Sequence, residues 1–275
     1  MTASIARRMF ELVEPIGVIP YSADEPNEAM FALGFTNYWD TYFAGRAAPL
    51  GLVPAEVVDA LFYNFAPGEV ARHIPKVWRT TTPEAAIAAR QAGSVQALRR
   101  ILGDHVGSAA FARAAELLLK AATSAPVEGR PMYAALLTVP IPEEVVARLF
   151  HAASMLREHR GDGHIAALVV EGIGRLEAHV LLALDMNMPA EKFGRIHHLA
   201  AAQIAAVIDG MRDRGLIGVD GWLTAEGHAV KRRVELLTDN LAVKPYECLD
   251  PGELAELMDT LEPLAALLLA AQDWR

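Results

Sequence analysis

Apolar positions along this chain recur at helical spacing, and the runs are separated by Pro, Gly and capping residues. Ser4 opens a run that continues to Glu14, where Pro15 and Gly17 predict its end. A shorter run over 26–34 stops at Gly34. Pro54 begins a helical pattern over 54–62, with Glu56 near the positive end of the helix dipole. In Thr82-Pro83-Glu84 a capping Thr precedes a Pro at the first helical position, and helices are predicted over 83–102 and 108–123. The segment 124–131 interrupts the pattern, and a new run leads from Pro140 to His159. The polar stretch Arg160-Gly161-Asp162-Gly163 then predicts a turn, with Asp162 near the N-cap of a helix over 163–184.

The last third changes character. After Pro189 the pattern gives helix, turn and helix, then a tight Asp220-Gly221 turn between short apolar segments, which predicts a small β-ribbon; Leu223-Thr224 opens the next helix. Residues 251–275 read as a helix pair broken at Pro263, with a stripe of Leu254, Leu257, Leu261, Leu264, Leu267 and Leu268 that suits the body of the protein or a second subunit, as in a homodimer.

Three stretches echo one another in the same order. The nine residues from Pro54 match those from Pro142 at six positions, Ile87-Ala88-Ala89 returns as Ile165-Ala166-Ala167, and Leu136-Leu137-Thr138 returns as Trp222-Leu223-Thr224. They suggest a duplicated unit of about 85 residues. The expected fold is therefore mainly α, with two tandem related helical units, the second alone or both being winged-helix-like with a short β-ribbon. The expected divisions are an N-terminal helical unit over 1–130, a winged-helix-like unit over 131–250 and a C-terminal helical extension over 251–275. Two related units would leave a cleft between them.

At 275 residues and 53% hydrophobic the chain can bury a large core. Its uncharged runs, such as 264–272, fall short of the roughly 20 residues that cross a bilayer, and the N-terminus lacks a signal-peptide pattern, so a cytoplasmic location and no membrane contact are expected. The single Cys248 excludes an intrachain disulfide. A net charge of −9 disfavours a phosphate backbone. The candidate reading helix, 198–211, offers Gln203 and Asp209 among alanines and reads as a packing helix, so nucleic acid is not an expected partner.

Candidate chemistry lies in three places. Residues 37–51 carry Trp39, Tyr42 and Arg46 ahead of a tight turn, which is either core or an aromatic pocket wall with Arg46 anchoring an anion or carbonyl. Tyr63 and Asn64 interrupt a helix before Pro67, and either point into a pocket or satisfy the broken helix end. Asp162 and His164 suit a helix cap, or an orienting carboxylate beside a general base; the helix dipole there would keep His164 neutral. The candidate catalytic residues are His164, Asp162 and Arg46, and the candidate ligand contacts are Tyr42, Tyr63, Asn64, Trp39 and Glu171. No histidine pair has the spacing of a helical zinc motif, so no metal site is assigned; the one route to a haem or metal is through His197, His198 or His164.

The stretch 215–228, with its Asp-Gly turn and Leu-Thr-x-x-Gly helix start, resembles the winged-helix domain of MarR-like regulators. More widely, Tyr42-Phe43-Ala44-Gly45-Arg46-Ala47-Ala48-Pro49-Leu50-Gly51, Phe62-Tyr63-Asn64-Phe65, Asp162-Gly163-His164-Ile165-Ala166-Ala167-Leu168, Arg214-Gly215-Leu216, Leu223-Thr224 and Thr238-Asp239-Asn240-Leu241-Ala242 resemble the actinobacterial helix-turn-helix family labelled SalK-like. Arg195-Ile196-His197-His198-Leu199 departs from that family's Arg-Gly-Trp. The resemblance implies a fold and assigns no activity or site. The function expected first is small-molecule binding on a winged-helix scaffold that does not read DNA. The alternatives are an enzyme tailoring a secondary metabolite in the same cleft, with proton transfer by His164 and Asp162, and a ligand-responsive transcriptional regulator.

Overall fold

The computed structural model describes residues 2–190 and 199–272. Fourteen α-helices are found among them: α1 (Ala3–Gly17), α2 (Ile19–Ser22), α3 (Asp24–Phe31), α4 (Tyr38–Ala47), α5 (Ala55–Phe62), α6 (Glu69–His73), α7 (Pro83–Leu102), α8 (Ala109–Thr123), α9 (Pro131–Leu137), α10 (Val145–Val170), α11 (Arg175–Asp185), α12 (Ala201–Asp213), α13 (Ala225–Leu241) and α14 (Pro251–Ala271). The β content of the described residues is one isolated antiparallel bridge, Ile217 to Leu223, in place of the expected ribbon.

The axis of the molecule is α10, which packs against α1, α7, α8, α9 and α13. The turn expected at 160–163 is absent, because α10 runs through it and ends near Gly172, where the backbone takes a φ of 65°. Polar residues specify a turn by bonding their own backbone, and here they are engaged elsewhere. Asp162 Oδ2 accepts the N–H groups of Met132 and Tyr133 at 3.0 and 3.1 Å, so it caps α9 and not its own helix. Gly163 lies where Arg130 crosses α10; a Cβ there would stand 2.6 Å from Arg130 Nη1. Arg130 reaches on to donate to the Leu241 carbonyl at 3.0 Å. The helix expected over 163–184 is therefore two helices joined at Gly172.

Two prolines expected to break helices are also carried inside them, Pro15 in α1 and Pro263 in α14. In α14 the neighbours of Pro263 explain the continuity: Leu254, Leu257, Leu261, Leu264 and Leu268 are buried as one stripe in the core shared with α1, α7 and α8. Five such side chains contribute roughly 10 kcal/mol of gross apolar burial, more than one lost backbone hydrogen bond costs. That stripe therefore covers the body of the protein.

The largest core draws on both sides of the 124–131 segment, joining Leu12, Leu98 and Leu118 to Leu149 and Leu257. A second cluster gathers Phe43, Phe62, Phe65 and Val70 with Met132. A third joins the end of α10 to α11, α12 and α13 through Leu168, Leu181, Met211, Leu216, Val230 and Val234. The paired sequences at Pro54 and Pro142 start helices of very different length, α5 of 8 residues and α10 of 26. At Gly93 in α7 the backbone of α3 comes so close that a Cβ would stand 2.5 Å from the Glu25 carbonyl oxygen.

Candidate functional site

Asn37 starts α4 by accepting the Asp40 N–H at 2.9 Å. Trp39, Tyr42, Phe43 and Arg46 then fall at helical neighbour spacing and share one face. Tyr42 and Trp39 pack edge-on with ring centroids 5.6 Å apart, and Phe65 stands 5.6 Å from Tyr42 and 6.1 Å from Trp39. The Arg46 guanidinium lies over the Phe62 ring, 4.3 Å from its centroid. Arg46 Nη1 donates to the Tyr42 hydroxyl and Nη2 to Glu158 Oε2, each at 3.1 Å.

Glu158 comes from the middle of α10 and is 6% exposed. Its other oxygen accepts from Arg157 Nη1 at 3.0 Å, while Arg157 Nε reaches Glu14 at 3.1 Å. Burial alone would raise the Glu158 carboxyl, but Arg46 and Arg157 hold it down at about 2. A third guanidinium, Arg90 of α7, donates to the Tyr21 hydroxyl at 3.3 Å and lies over Tyr21 and Phe150, 5.7 and 5.5 Å from their centroids. It makes no ion pair with a carboxylate among the described residues. Two helical glycines make room for these cations: a Cβ on Gly45 would stand 3.1 Å from Arg90 Cδ, and one on Gly17 would stand 2.8 Å from Arg157 Cδ.

Between α4, α7, α9 and α10 these side chains border two adjoining voids. One, of about 10 Å³, is lined by Arg46, Arg90, Ser154 and Glu158 with Pro49 and Leu136; the other, of about 20 Å³, shares Arg90, Ser154, Pro49 and Leu136 and adds His151 and Phe150. Four buried polar atoms on these walls have no hydrogen-bond partner among the described residues: Arg46 Nε, Arg90 Nε, Ser154 Oγ and His151 Nε2. Ser154 and His151 are 4% and 5% exposed. Burial depresses the basicity of His151, which favours the neutral ring. Buried polar atoms are nearly always paired, and four of the unpaired ones among the described residues gather around this chamber.

The structure brings Arg46 to this chamber, with Tyr42 bonded to Arg46 and Trp39 packed on Tyr42 behind it, outside the lining of either void, and leaves the other candidates away from it. Asp162 caps α9, and His164, two residues on, bonds Thr238 Oγ1 through Nδ1 at 3.0 Å on the α13 side. The Asp162–His164 pairing expected for proton transfer is not made, because each is engaged by a different neighbour. His164 is kept neutral, though by burial beside Arg160, Lys231 and Arg7 and not by a helix start; its pKa is lowered to about 4. Tyr63, at a φ of 36°, donates to the Ile173 carbonyl at 2.6 Å, and the Asn64 N–H returns to the Phe62 carbonyl, so both tie the end of α5 to its surroundings. Glu171 ends α10 and pairs with Arg233 at 3.0 Å.

His197 and His198 lie outside the described residues; among the described residues no three His, Cys, Asp or Glu side chains gather as a metal site. Nor is any described helix long and apolar enough to cross a membrane. Arg90, Ser154, His151 and Glu158 were not singled out in the sequence. A local signal for Arg90 was Gly45, a glycine inside α4 where a Cβ would stand 3.1 Å from Arg90 Cδ.

The surface that would meet DNA is built differently from that expected. α12 buries Ile204 and Met211 and packs Val207 and Ile208 against the third core, leaving its other face exposed. Its outward residues are Ala201, Ala202, Gln203, Ala205, Ala206, Asp209, Gly210, Arg212 and Asp213. Among the described residues most of the cations nearby are paired, Arg212 with Asp209 at 2.5 Å, Arg214 with Glu177 at 2.7 Å, Arg233 with Glu171 and Glu226, and Lys231 with Glu235, while Arg232 on α13 is exposed and makes no ion pair. The turn after α12 has Gly215 at a φ of 72°, and Thr224 caps α13 by accepting the Gly227 N–H at 3.0 Å.

Comparison with known proteins places this architecture: residues 6–275 match a family described as a helix-turn-helix family. No curated protein and no solved structure matches the chain.

Proposed function

The chain belongs to a helix-turn-helix family, and from that premise we propose that it is a small-molecule-binding protein on a winged-helix scaffold no longer equipped to read nucleic acid. The chamber between α4, α7, α9 and α10 receives the ligand, Arg46 borders it while paired with Glu158, and Tyr42 and Trp39 back Arg46 from outside the chamber. The observation that carries this reading is the gathering of four buried polar atoms without partners around that chamber. A buried donor or acceptor left unsatisfied costs about 1–3 kcal/mol, a cost that a bound polar molecule removes. The voids are small, so ligands larger than a few atoms enter by displacing Pro49 or Leu136 from the wall.

The nucleic-acid side of the reading rests on chemistry. Affinity for DNA comes largely from Lys and Arg meeting phosphates, and here, among the described residues, the cations around α12 and α13 other than Arg232 are held by carboxylates in a chain of net charge −9.

The test titrates the full chain with acetate, succinate, benzoate, phosphate and acetamide, read by thermal shift and ligand-observed NMR. At least one is expected to bind, and Ser154→Val, which fills the chamber, is expected to abolish that binding while circular dichroism remains helical. If none of the panel binds, or if Ser154→Val binds as the natural protein does, the chamber is not the site. Gel shifts with duplex DNA at low salt are expected to show none; a sequence-selective shift would restore the regulator reading.

A further inference from the structure

We infer that the chamber takes a small monocarboxylate, held by Arg90 and Ser154, and this rests on reading the chamber as a binding site. The first support is charge. Three guanidinium groups border the region, Arg46, Arg90 and Arg157, against two carboxylates, Glu158 between the outer pair and Glu14 on the far side of Arg157. Arg90 is left without a carboxylate, its contacts being a phenol hydroxyl and two ring faces. Arg90 shares Glu158 with Arg46 and Arg157 only through space and among the described residues has no carboxylate in direct contact, so a bound negative charge would pair it directly.

The second support is shape. The two voids share Arg90, Ser154, Pro49 and Leu136, and at about 10 and 20 Å³ each accommodates about one water-sized group. Two such groups side by side match the two oxygens of a carboxylate, whereas a phosphate would have to displace part of the wall. The third is hydrogen bonding: Arg90 Nε and Ser154 Oγ are donors without acceptors among the described residues, and a carboxylate is an acceptor with two oxygens. Ile87, Leu136, Val139 and Phe150 line the wider void and suit a short alkyl group attached to the carboxylate.

The experiment compares acetate with acetamide and with chloride at equal ionic strength, by NMR titration of the full chain at pH 7. Acetate is expected to saturate, whereas acetamide, of nearly the same shape but uncharged, is not. Arg90→Gln and Ser154→Ala are each expected to weaken acetate by about tenfold or more, the effect of losing one hydrogen bond to a charged group. Ser154→Ala removes an unpaired hydroxyl, so it is expected to keep the melting temperature of the ligand-free protein, which separates loss of binding from loss of fold. Arg90→Lys keeps the charge and is expected to retain more affinity than Arg90→Gln. Equal binding of acetamide and acetate would overturn the carboxylate assignment and leave the chamber reading standing. Acetate binding unchanged in both Arg90→Gln and Ser154→Ala would also overturn it, by placing the anion elsewhere. If the wider panel also fails to bind, both readings fall.

Discussion

Glu158→Gln is the substitution that most directly tests how the chamber is held together. The carboxylate is 6% exposed and accepts from Arg46 at 3.1 Å and from Arg157 at 3.0 Å. The amide keeps the shape and one acceptor but removes the charge that both guanidinium groups face. The lowering of the carboxyl from 4.5 to about 2 corresponds to about 3 kcal/mol of preference for the charged form. Breaking a buried pair by removing one partner costs a similar amount, about 3–5 kcal/mol. The variant is therefore expected to lose about 3 kcal/mol at pH 7, or roughly 6–12 °C in melting temperature for a chain of this size. Urea denaturation followed by circular dichroism measures it. The sign with pH is fixed as well: a carboxyl lowered in the folded state contributes stability above 4.5 that is lost as the pH falls toward about 2. The gap between the two proteins should narrow across that window. Adding Arg46→Met should recover part of the loss, since one of the stranded cations is then gone. A gap under about 1 kcal/mol at pH 7, or one unchanged by acid, would show that these groups are solvated and that the buried ion cluster does not hold the chamber.

Two further substitutions address the residues that looked catalytic. His164, lowered to about 4 from 6.5, stays neutral in the fold while an unfolded chain takes up a proton, so its contribution is full above 6.5 and lost as the pH falls to about 4, by up to about 3 kcal/mol. His164→Gln should remove that part of the acid sensitivity, and a difference from the natural protein that is constant between pH 7 and 4 would refute it. Asp162→Ala strands the N–H groups of Met132 and Tyr133 and should cost about 1–3 kcal/mol, whereas Asp162→Asn keeps an acceptor and should cost less; equal stability of Asp162→Ala and the natural protein in urea would show that Asp162 does not cap α9.

What was legible in the sequence was what neighbours in sequence determine. Thr82-Pro83 gave the start of α7 and the helices over 83–102 and 108–123 stand where expected, because caps and prolines act within one turn. The Gly215 and Thr224 signature likewise found the turn between α12 and α13, where Thr224 Oγ1 donates to the Gly215 carbonyl at 2.6 Å. The stretch 160–163 misled for the complementary reason. Gly and Asp favour a turn when their polar groups are left to themselves, yet Asp162 bonds a helix 29 and 30 residues earlier in the chain, and Gly163 yields its space to Arg130. The chamber is more distant still: Arg46 meets Glu158 across 112 residues and Arg157 meets Glu14 across 143. No periodicity encodes such pairings, and Arg46 could be found only because it closes an aromatic face on its own helix. Its partners were hidden in Ala-rich helices, where an Arg reads as a solvated surface residue. The trace they left was Gly45 and Gly17, helical glycines that cost stability locally and are explained only by the guanidinium stems that pass over them.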